Sequence, residues 1–312
     1  GEAPAEGTLQ IAVVPKGTTH DFWRNIHAGA LQAAQELSAE GTPVEVIWKG
    51  PLREDDREQQ VQVVEGFIAQ GVDGIVLAPL DDRALVRPVE EAQRAGVPTV
   101  IIDSGLDSEA IVSFVATDNY LGGQLAADRM GELLGGQGSI LVLRYAEGSE
   151  STHQREEGFL ERMRSGYPNV RIVSSDQYAG ATRETAKRAS ENLLNRFGEQ
   201  ITGVYTANES STSGMLLALQ DLGRAGQMKF VGFDASDALV AALRAGHIQG
   251  LVVQNPMRMG YLGVKTMVSH LAGDRVEKRI DTGVMMVTPE NVDAPETRDL
   301  IDPPVERYLQ EN

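Results

Sequence analysis

The chain contains no cysteine, and this absence excludes disulfides, thiolate nucleophiles and cysteine-ligated zinc. Basic residues are also scarce, because 28 lysines and arginines stand against 45 aspartates and glutamates and the formal net charge is −17. Proteins that bind nucleic acids or anionic membrane surfaces need a basic face that pairs with phosphates. The charge balance therefore predicts that neither of these is a partner.

The sequence also lacks long hydrophobic runs. None approaches the roughly 18 apolar residues of a membrane-spanning helix, so we expect no membrane span. No signal peptide is visible. Residues 1–8 are small and polar, and we interpret them as a processed terminus or a short tether, with which a removed export signal is compatible.

Motifs for catalysis, metals and nucleotides are missing as well. The five histidines show no HExxH or other metal-ligand spacing, and no GxSxG elbow occurs. The glycine-rich segment 135–139 precedes a predicted strand, so it is interpreted as a tight turn. A solvated acidic face is the interpretation given to Glu147, Glu150, Glu156 and Glu157. The sequence thus predicts no enzyme, no metal site and no cofactor.

What the sequence does contain is a regular alternation of strand and helix. A predicted strand at residues 9–14 is followed by a predicted helix at 22–37, whose apolar residues recur at helical spacing. The alternation continues to a predicted strand at residues 248–253. It predicts an α/β protein with parallel sheets and right-handed crossovers.

The two halves of the chain weakly repeat one α/β unit. A strand–helix–strand unit that ends at Asp103 is matched by another that ends at Asp234. With 312 residues, the chain is long enough for about two domains. We therefore expect two lobes with the ligand site in the cleft between them. The lack of a long linker predicts a hinge of short strands.

Four of the predicted strands end on a polar side chain, and these are Asp103, Asn208, Asp234 and Gln254. Ligands of α/β proteins bind at the carboxyl ends of parallel strands, so these side chains are placed to hydrogen-bond a ligand made of hydroxyls. The alternative for the aspartates is helix capping, which Asp234 could perform before Ala235 and Ser236. The corresponding places of Asp103 and Asp234 in the two repeats favour ligand contact.

The loop after the first strand brings two aromatic residues, Phe22 and Trp23, to the start of a helix. Either Thr19 or Asp21 is expected to cap that helix. The two rings cannot both face the same core, so one is expected to project toward the crevice, where it suits the C–H face of a sugar. A capping loop with a hydrophobic staple is an equally supported alternative.

Arg155 is predicted on the first turn of a helix, where it can reach the mouth of the crevice. Taken alone, it is better interpreted as a surface residue that pairs with Glu156 and Glu157, an interaction of little energetic value.

Several short motifs, in this order and spacing, resemble one family of proteins. They lie at residues 22–23, 71–75, 101–104, 116–123, 155–159, 208–209, 231–234 and 253–256. The chain resembles, over about residues 9–292, the periplasmic sugar-binding proteins of bacterial ABC transporters, the group that includes ribose-binding protein. The resemblance implies a type I periplasmic binding protein fold, in which two doubly wound parallel-sheet lobes are joined by a three-stranded hinge. The lobes are expected at residues 8–116 plus 255–284 and at 117–254 plus 285–312.

The resemblance also implies a set of ligand-binding residues. These are His20, Phe22, Trp23, Asp103, Ser104, Arg155, Asn208, Asp234 and Gln254. Hinge crossings are implied at residues 117–118 and 254–255. Ribose-type members carry arginine at the position of Ser104 and an aromatic residue at the position of Ala181. Their first loop is one residue shorter than the loop of this chain, and Lys16 of the longer loop is a further candidate for a ligand contact. These departures argue against ribose itself and leave room for a larger sugar or for Tyr178.

The function implied is a solute-binding protein that captures a monosaccharide (a pentose, a hexose or a related polyol) by lobe closure and delivers it to an ABC permease. Such a protein is a periplasmic or extracytoplasmic monomer, either free or lipid-tethered at a removed N-terminus. The alternative is a sugar-sensing effector domain of a transcriptional regulator or a membrane receptor. The regulator would need a helix-turn-helix before the first strand. A sugar-processing α/β enzyme is a third possibility, and the missing motifs argue against it.

Overall fold

A computed structural model describes residues 7–310 of the chain. Most of the segment interpreted as a tether lies outside the described residues. Strands in the described part are β1 (Leu9–Val14), β2 (Val44–Trp48), β3 (Gly74–Leu77), β4 (Thr99–Ile102), β5 (Ser113–Ala116), β6 (Gly138–Arg144), β7 (Val170–Tyr178), β8 (Gly203–Thr206), β9 (Lys229–Phe233), β10 (Gly250–Gln254), β11 (Arg279–Asp281) and β12 (Val284–Val287).

The helices in the same residues are α1 (Asp21–Ala39), α2 (Arg57–Gln70), α3 (Val86–Arg94), α4 (Asn119–Leu133), α5 (Glu150–Gly166), α6 (Arg183–Phe197), α7 (Glu209–Asp221), α8 (Asp237–Arg244), α9 (Pro256–Leu271), α10 (Pro295–Ile301) and α11 (Glu306–Leu309). Across residues 7–310, no helix combines the length and the apolar character that crossing a bilayer requires.

The described chain divides into two compact units. The first comprises residues 7–116, 255–282 and 304–310, and the second comprises 117–254 and 283–303. These limits differ from the predicted ones, which placed 285–312 in the second lobe. Residues 304–310 belong to the first unit because Tyr308 packs against Ala28 and Leu31 of α1.

The first unit contains a six-stranded sheet in the order β11-β5-β4-β3-β1-β2, in which every neighbouring pair is parallel. Every residue of β3 and β4 is buried, as expected for parallel strands covered on both faces. One apolar cluster joins α1 and α9 to one face of the sheet, and another joins α2 and α3 to the other face.

The second unit contains a six-stranded sheet in the order β12-β10-β9-β8-β6-β7. Five of its strands are parallel, as predicted, and β12 at one edge runs antiparallel to β10. The cause lies in the chain path. The chain enters this unit at Gly283, and Val284 pairs with Gln254, the last residue of β10. Because β12 starts beside the carboxyl end of β10, it pairs with β10 only by running in the opposite direction.

Local capping explains where several helices begin. Asp56 caps α2 by accepting from the backbone N–H of Gln59, and Gly71 ends the helix in the left-handed conformation at φ 69°. The N-cap of α1 is His20, which makes no side-chain capping bond, so the predicted caps Thr19 and Asp21 are both wrong. The predicted turn is present at residues 134–136, where Gly135 has a φ of 62°, and the strand that was expected after it begins at Gly138.

Candidate ligand-binding site

Asp103 stands at the carboxyl end of β4 in the first unit. It is buried, has a φ of 67°, and its carboxylate Oδ2 lies 3.5 Å from Nζ of Lys16, which is buried as well. Within residues 7–310, Asp103 and Asp234 are the non-glycine residues with positive φ. Aspartate tolerates this conformation better than most residues, and backbone strain of this kind is concentrated at functional sites. The two strand-end aspartates thus share a conformation as well as a position in the repeat.

The loop after β1 is held by a glutamate that the sequence analysis did not identify. Oε1 of Glu54 accepts from Nε1 of Trp23 at 2.6 Å and lies 3.1 Å from Nδ1 of His20. A Cβ added at Gly17 would lie 2.9 Å from Cγ of Glu54, so the two loops are in direct contact. Glu54 therefore anchors the end of the loop and the start of α1, where three of the predicted ligand-binding residues, His20, Phe22 and Trp23, lie.

The two aromatic residues have different environments. Trp23 is buried in the apolar cluster that lies under α1, whereas Phe22 packs on the margin of the same cluster and stays partly exposed. Their rings meet edge to face with centroids 5.0 Å apart. Both rings thus contact one cluster, Trp23 from within it and Phe22 from its partly exposed margin.

Ser104 follows Asp103 and is fully buried. Its backbone N–H donates to the carbonyl of Ile102 at 2.7 Å, so the chain turns sharply directly after β4. The small side chain is compatible with this turn.

Arg155 lies in the second turn of α5 and not in the first, because α5 begins at Glu150. It is only 2% exposed. Its Nε donates to Oδ1 of Asn119 at 3.0 Å, and NH1 donates to the carbonyl of Ala207 at 2.9 Å. The guanidinium carbon also lies 4.4 Å from the centroid of the Phe233 ring. The interpretation of Arg155 as a surface ion-pairing residue is therefore wrong.

Asp234 stands at the carboxyl end of β9 with a φ of 72°. Its Oδ1 accepts from Nε2 of Gln254 at 2.6 Å, and its Oδ2 accepts from the backbone N–H of Glu209 at 3.0 Å. Oε1 of Gln254 in turn accepts from the hydroxyl of Thr117 at 3.0 Å. Asp234 does not cap α8, because that cap is Ser236. The chain passes to the first unit directly after Gln254.

Asn208 is the N-cap of α7. Its Oδ1 accepts from the backbone N–H of Ser211 at 3.2 Å, and its Nδ2 donates to the hydroxyl of Ser210 at 3.2 Å. The side chain is buried at the end of β8, beside the first turn of the helix. Asn208 thus has a clear structural role at a position where the sequence predicts a ligand contact.

One of the four glutamates assigned to a solvated face is buried. Glu156 is 2% exposed and lies 3.5 Å from Arg144, and the backbone N–H of Tyr145 donates to it at 3.4 Å. Burial raises the pKa of its carboxyl to about 7, even though the nearby guanidinium of Arg144 favours the charged form. Ala181, where the chain departs from the ribose-type pattern, is buried, whereas Tyr178, the side chain for which this departure leaves room, is 42% exposed.

Each unit thus gathers its own polar groups at the carboxyl ends of its strands. The first brings together Lys16 and Asp103, and the second brings together Asp234 and Gln254. Arg155 is bonded to the carbonyl of Ala207, directly after β8 of the same sheet. Carboxylates and cations of this kind bind hydroxyls through charge-assisted hydrogen bonds, and an amide binds them through neutral ones. Across residues 7–310, no group of histidine or acidic side chains has an arrangement that would hold a metal ion.

Comparison with known proteins identifies the family. A profile described as "Periplasmic binding protein domain" matches residues 11–275. The chain belongs to the periplasmic binding protein family. The resemblance inferred from the motifs is therefore confirmed, and so is the fold of two parallel-sheet α/β units.

Relatives of this periplasmic binding protein cover nearly its whole length. A D-ribose/D-allose-binding protein from Pseudomonas aeruginosa is 30% identical over 292 residues, which cover 92% of this chain and 89% of the relative.

Two solved structures are similar along the whole chain. A carbohydrate transporter solute-binding protein from Agrobacterium radiobacter, in complex with D-arabinose, is 33% identical with a TM-score of 0.90, covering 96% of this chain and 100% of that one. An ABC transporter solute-binding protein from Agrobacterium vitis, with bound D-fucose, is 34% identical with a TM-score of 0.88, covering 94% and 99%. The prediction of a solute-binding protein is confirmed by these comparisons, and they do not support the regulator or receptor alternative.

Proposed function

We propose that this periplasmic binding protein captures a monosaccharide or a closely related polyol. The observation that carries the proposal is the pair of buried carboxylates, Asp103 and Asp234, which end equivalent strands in the same unusual backbone conformation. A carboxylate can accept two hydroxyl protons, and one carboxylate in each unit suits a ligand with hydroxyls on several sides. The sugars named for the relatives, D-ribose, D-allose, D-arabinose and D-fucose, are of this kind.

We further propose that both units contribute to one ligand site. Asp103 and Phe22 act from the first unit, with His20, Trp23 and Ser104 shaping the same surface. Arg155, Asn208, Asp234 and Gln254 act from the second. A ligand that contacts both units favours their closed arrangement, because only that arrangement satisfies all of its hydrogen bonds.

The same proposal includes what happens after capture. The closed protein, which is located in the periplasm, delivers its sugar to a membrane-bound ABC permease. It acts as a monomer, either free or lipid-tethered. No reaction takes place, because catalysis would need a nucleophile or base positioned on the bound sugar, and the proposed role of each polar group is to hold the ligand.

A thermal-shift screen tests the function directly. The protein is unfolded, dialysed and refolded to remove any sugar that purifies with it, and is then melted with pentoses, hexoses, amino sugars and polyols, including the four sugars above. A ligand at 100 times its Kd stabilises the folded state by about 2.7 kcal/mol, which gives a clear rise in melting temperature. If no sugar or polyol raises the melting temperature of the refolded protein, the proposed function is wrong.

A further inference from the structure

The longest strand of the second unit lies at an edge of its sheet. β7 spans nine residues and, within the described part of the chain, pairs with β6 alone. Of its side chains, Val170 is buried and the others are partly or fully exposed. The N–H and C=O groups on the outer side of β7 have no neighbouring strand, and such an edge is a template on which another strand can pair.

A groove of about 880 Å³ separates this strand from α6. β7 forms one side of the groove, and the other side is a face of α6 whose residues recur at helical spacing, namely Thr185, Arg188, Ala189, Asn192 and Arg196. The helix itself is held against α7, because a Cβ added at Gly214 of α7 would lie only 2.5 Å from Cβ of Ala186. The groove therefore stays open along the edge strand.

The groove carries unpaired positive charge. Lys187, on another side of α6, pairs with Asp221 at 2.6 Å, but within residues 7–310 no carboxylate forms an ion pair with Arg188 or Arg196. Asp176, the acidic residue of the lining, accepts from the side-chain amide of the residue after it at 3.2 Å. The lining is thus net positive in a chain whose formal net charge is −17. Such a surface favours an acidic partner.

The two arginines also define a spacing. Arg188 and Arg196 are eight residues apart on α6, which corresponds to about 12 Å along the helix axis at about 1.5 Å per residue. An extended segment advances about 3.3 Å per residue, so side chains four residues apart lie on the same face and are separated by about 13 Å. Two acidic side chains with this spacing in an extended segment therefore match the two arginines.

We propose that this groove binds an extended acidic segment of a partner protein, whose main chain pairs with β7 and whose carboxylates, four residues apart, contact Arg188 and Arg196. Binding of this kind adds a strand to a sheet edge, where main-chain hydrogen bonds give affinity and alternate side chains give specificity. The inference does not depend on which sugar the protein binds.

A second copy of this chain fits the groove less well. The pairing of β7 with β6 shifts register twice between Ile140 and Leu143, and bulges of this kind twist an edge strand away from a flat partner. Two copies also repel each other through their net negative charge. A short segment with no sheet of its own can follow the twist.

Two peptides of the same composition test the spacing. The first, Thr-Glu-Thr-Val-Thr-Glu-Thr, has its glutamates four residues apart, and the second, Thr-Glu-Thr-Val-Glu-Thr-Thr, has them three residues apart and so on opposite faces. Both are acetylated, amidated and fluorescently labelled, and binding is measured by anisotropy at low ionic strength. The second is expected to bind about 2- to 5-fold more weakly, the effect of losing one exposed ion pair.

Variants of the protein locate the contact. Arg188→Gln and Arg196→Gln are each expected to weaken the first peptide and to abolish the preference between the two, because one partner of the matched pairs is gone. Arg164→Gln removes an exposed arginine of α5 in the same unit and is expected to leave the preference unchanged. Unaltered melting temperatures would show that the variants fold.

Methylation of the peptide main chain tests strand pairing. One version of the first peptide is N-methylated at its second, fourth and sixth residues, and another at its third, fifth and seventh. Alternate residues of a strand direct their N–H groups to opposite sides. One methylated version is therefore expected to bind nearly as well as the parent peptide, and the other is expected not to bind.

Several results would overturn the proposal. They are no binding of either peptide, equal affinity for both, a preference that persists in both arginine variants, or equal binding of the two methylated versions. A wild-type dimer that the first peptide dissociates in sedimentation velocity would assign the groove to a second copy instead. None of these results bears on sugar binding, which the thermal screen tests separately.

Discussion

Replacing Glu156 by glutamine is expected to change how the stability of the second unit depends on pH. Burial raises the pKa of this carboxyl from 4.5 to about 7. Across that window the folded protein keeps a proton that the unfolded chain releases. The contribution of this group to the free energy of unfolding is therefore complete below pH 4.5, falls as the pH rises, and is lost above about pH 7.

The size of the effect follows from the same shift. The difference between about 7 and 4.5 is about 2.5 units, and each unit corresponds to about 1.4 kcal/mol. Ionisation of the buried carboxyl thus costs about 3 kcal/mol. Glutamine is neutral at every pH and can still accept from the backbone N–H of Tyr145. Glu156→Gln should match the wild type at about pH 4 and exceed its stability by about 3 kcal/mol at about pH 8.

Urea unfolding of the wild type and of Glu156→Gln over this pH range measures the difference. Other titrating groups are common to both proteins and cancel in the comparison. Glu132→Gln removes an exposed glutamate of the same unit and serves as the control, with a small expected effect. A difference that does not change with pH would refute the reasoning. A variant that becomes relatively less stable as the pH rises would show that the attraction of Arg144 exceeds the cost of burial.

Three further predictions concern single residues. Asparagine tolerates positive φ, so the variant Asp234→Asn should still fold but should lose the sugar-induced rise in melting temperature. If that rise persists, Asp234 does not bind the sugar and only accepts from the backbone N–H at the start of α7. In a Trp48→Phe background, Glu54→Ala should shift the emission of Trp23 and weaken sugar binding, whereas Glu54→Gln, which keeps an acceptor, should retain both; identical spectra would contradict this. Burial lowers the pKa of His27 to about 4, so His27→Gln should reduce the loss of stability as the pH falls from 6.5 toward 4, measured by urea unfolding; an unchanged pH dependence would refute it.

The regular elements follow closely from periodicity. The sequence predicts strands at residues 9–14, 44–48 and 229–233, and these limits agree with β1, β2 and β9, because each strand is a short run bounded by turn residues. The apolar pattern also predicts a helix from Asp82 to Ala95, but α3 begins only at Val86. Oδ1 of Asp81 accepts from the backbone N–H groups of Arg83 and Ala84, which forms a turn before the helix at Val86. Competition between a side chain and the helix for the same N–H groups leaves the apolar pattern unchanged, so the pattern does not reveal it.

Burial of charged residues is where the sequence is least informative. The sequence next to Arg155 contains two glutamates, which suggests a surface ion pair. Its partners Asn119 and Ala207 are 36 and 52 residues away, and only the fold brings them together. Glu54 and Gln60 were missed for the same reason, because each binds loops that follow other strands. The sequence next to such a polar residue gives no sign of a partner that is distant along the chain.

The two strand-end aspartates share a backbone conformation but not an electrostatic environment. Asp103 has the ammonium of Lys16 beside it, whereas Asp234 accepts from the amide of Gln254 and from a backbone N–H. A neutral donor leaves the full negative charge on a carboxylate, while an ammonium offsets it. Loss of Lys16 should therefore make the surface around Asp103 more negative and favour amino sugars over neutral sugars there. A variant Gln254→Leu removes no charge, so it should weaken neutral and amino sugars alike. The affinities of each variant for one neutral sugar and for its amino derivative would separate these effects. If both variants showed the same ratio of the two affinities, the distinction between the two aspartates would be wrong.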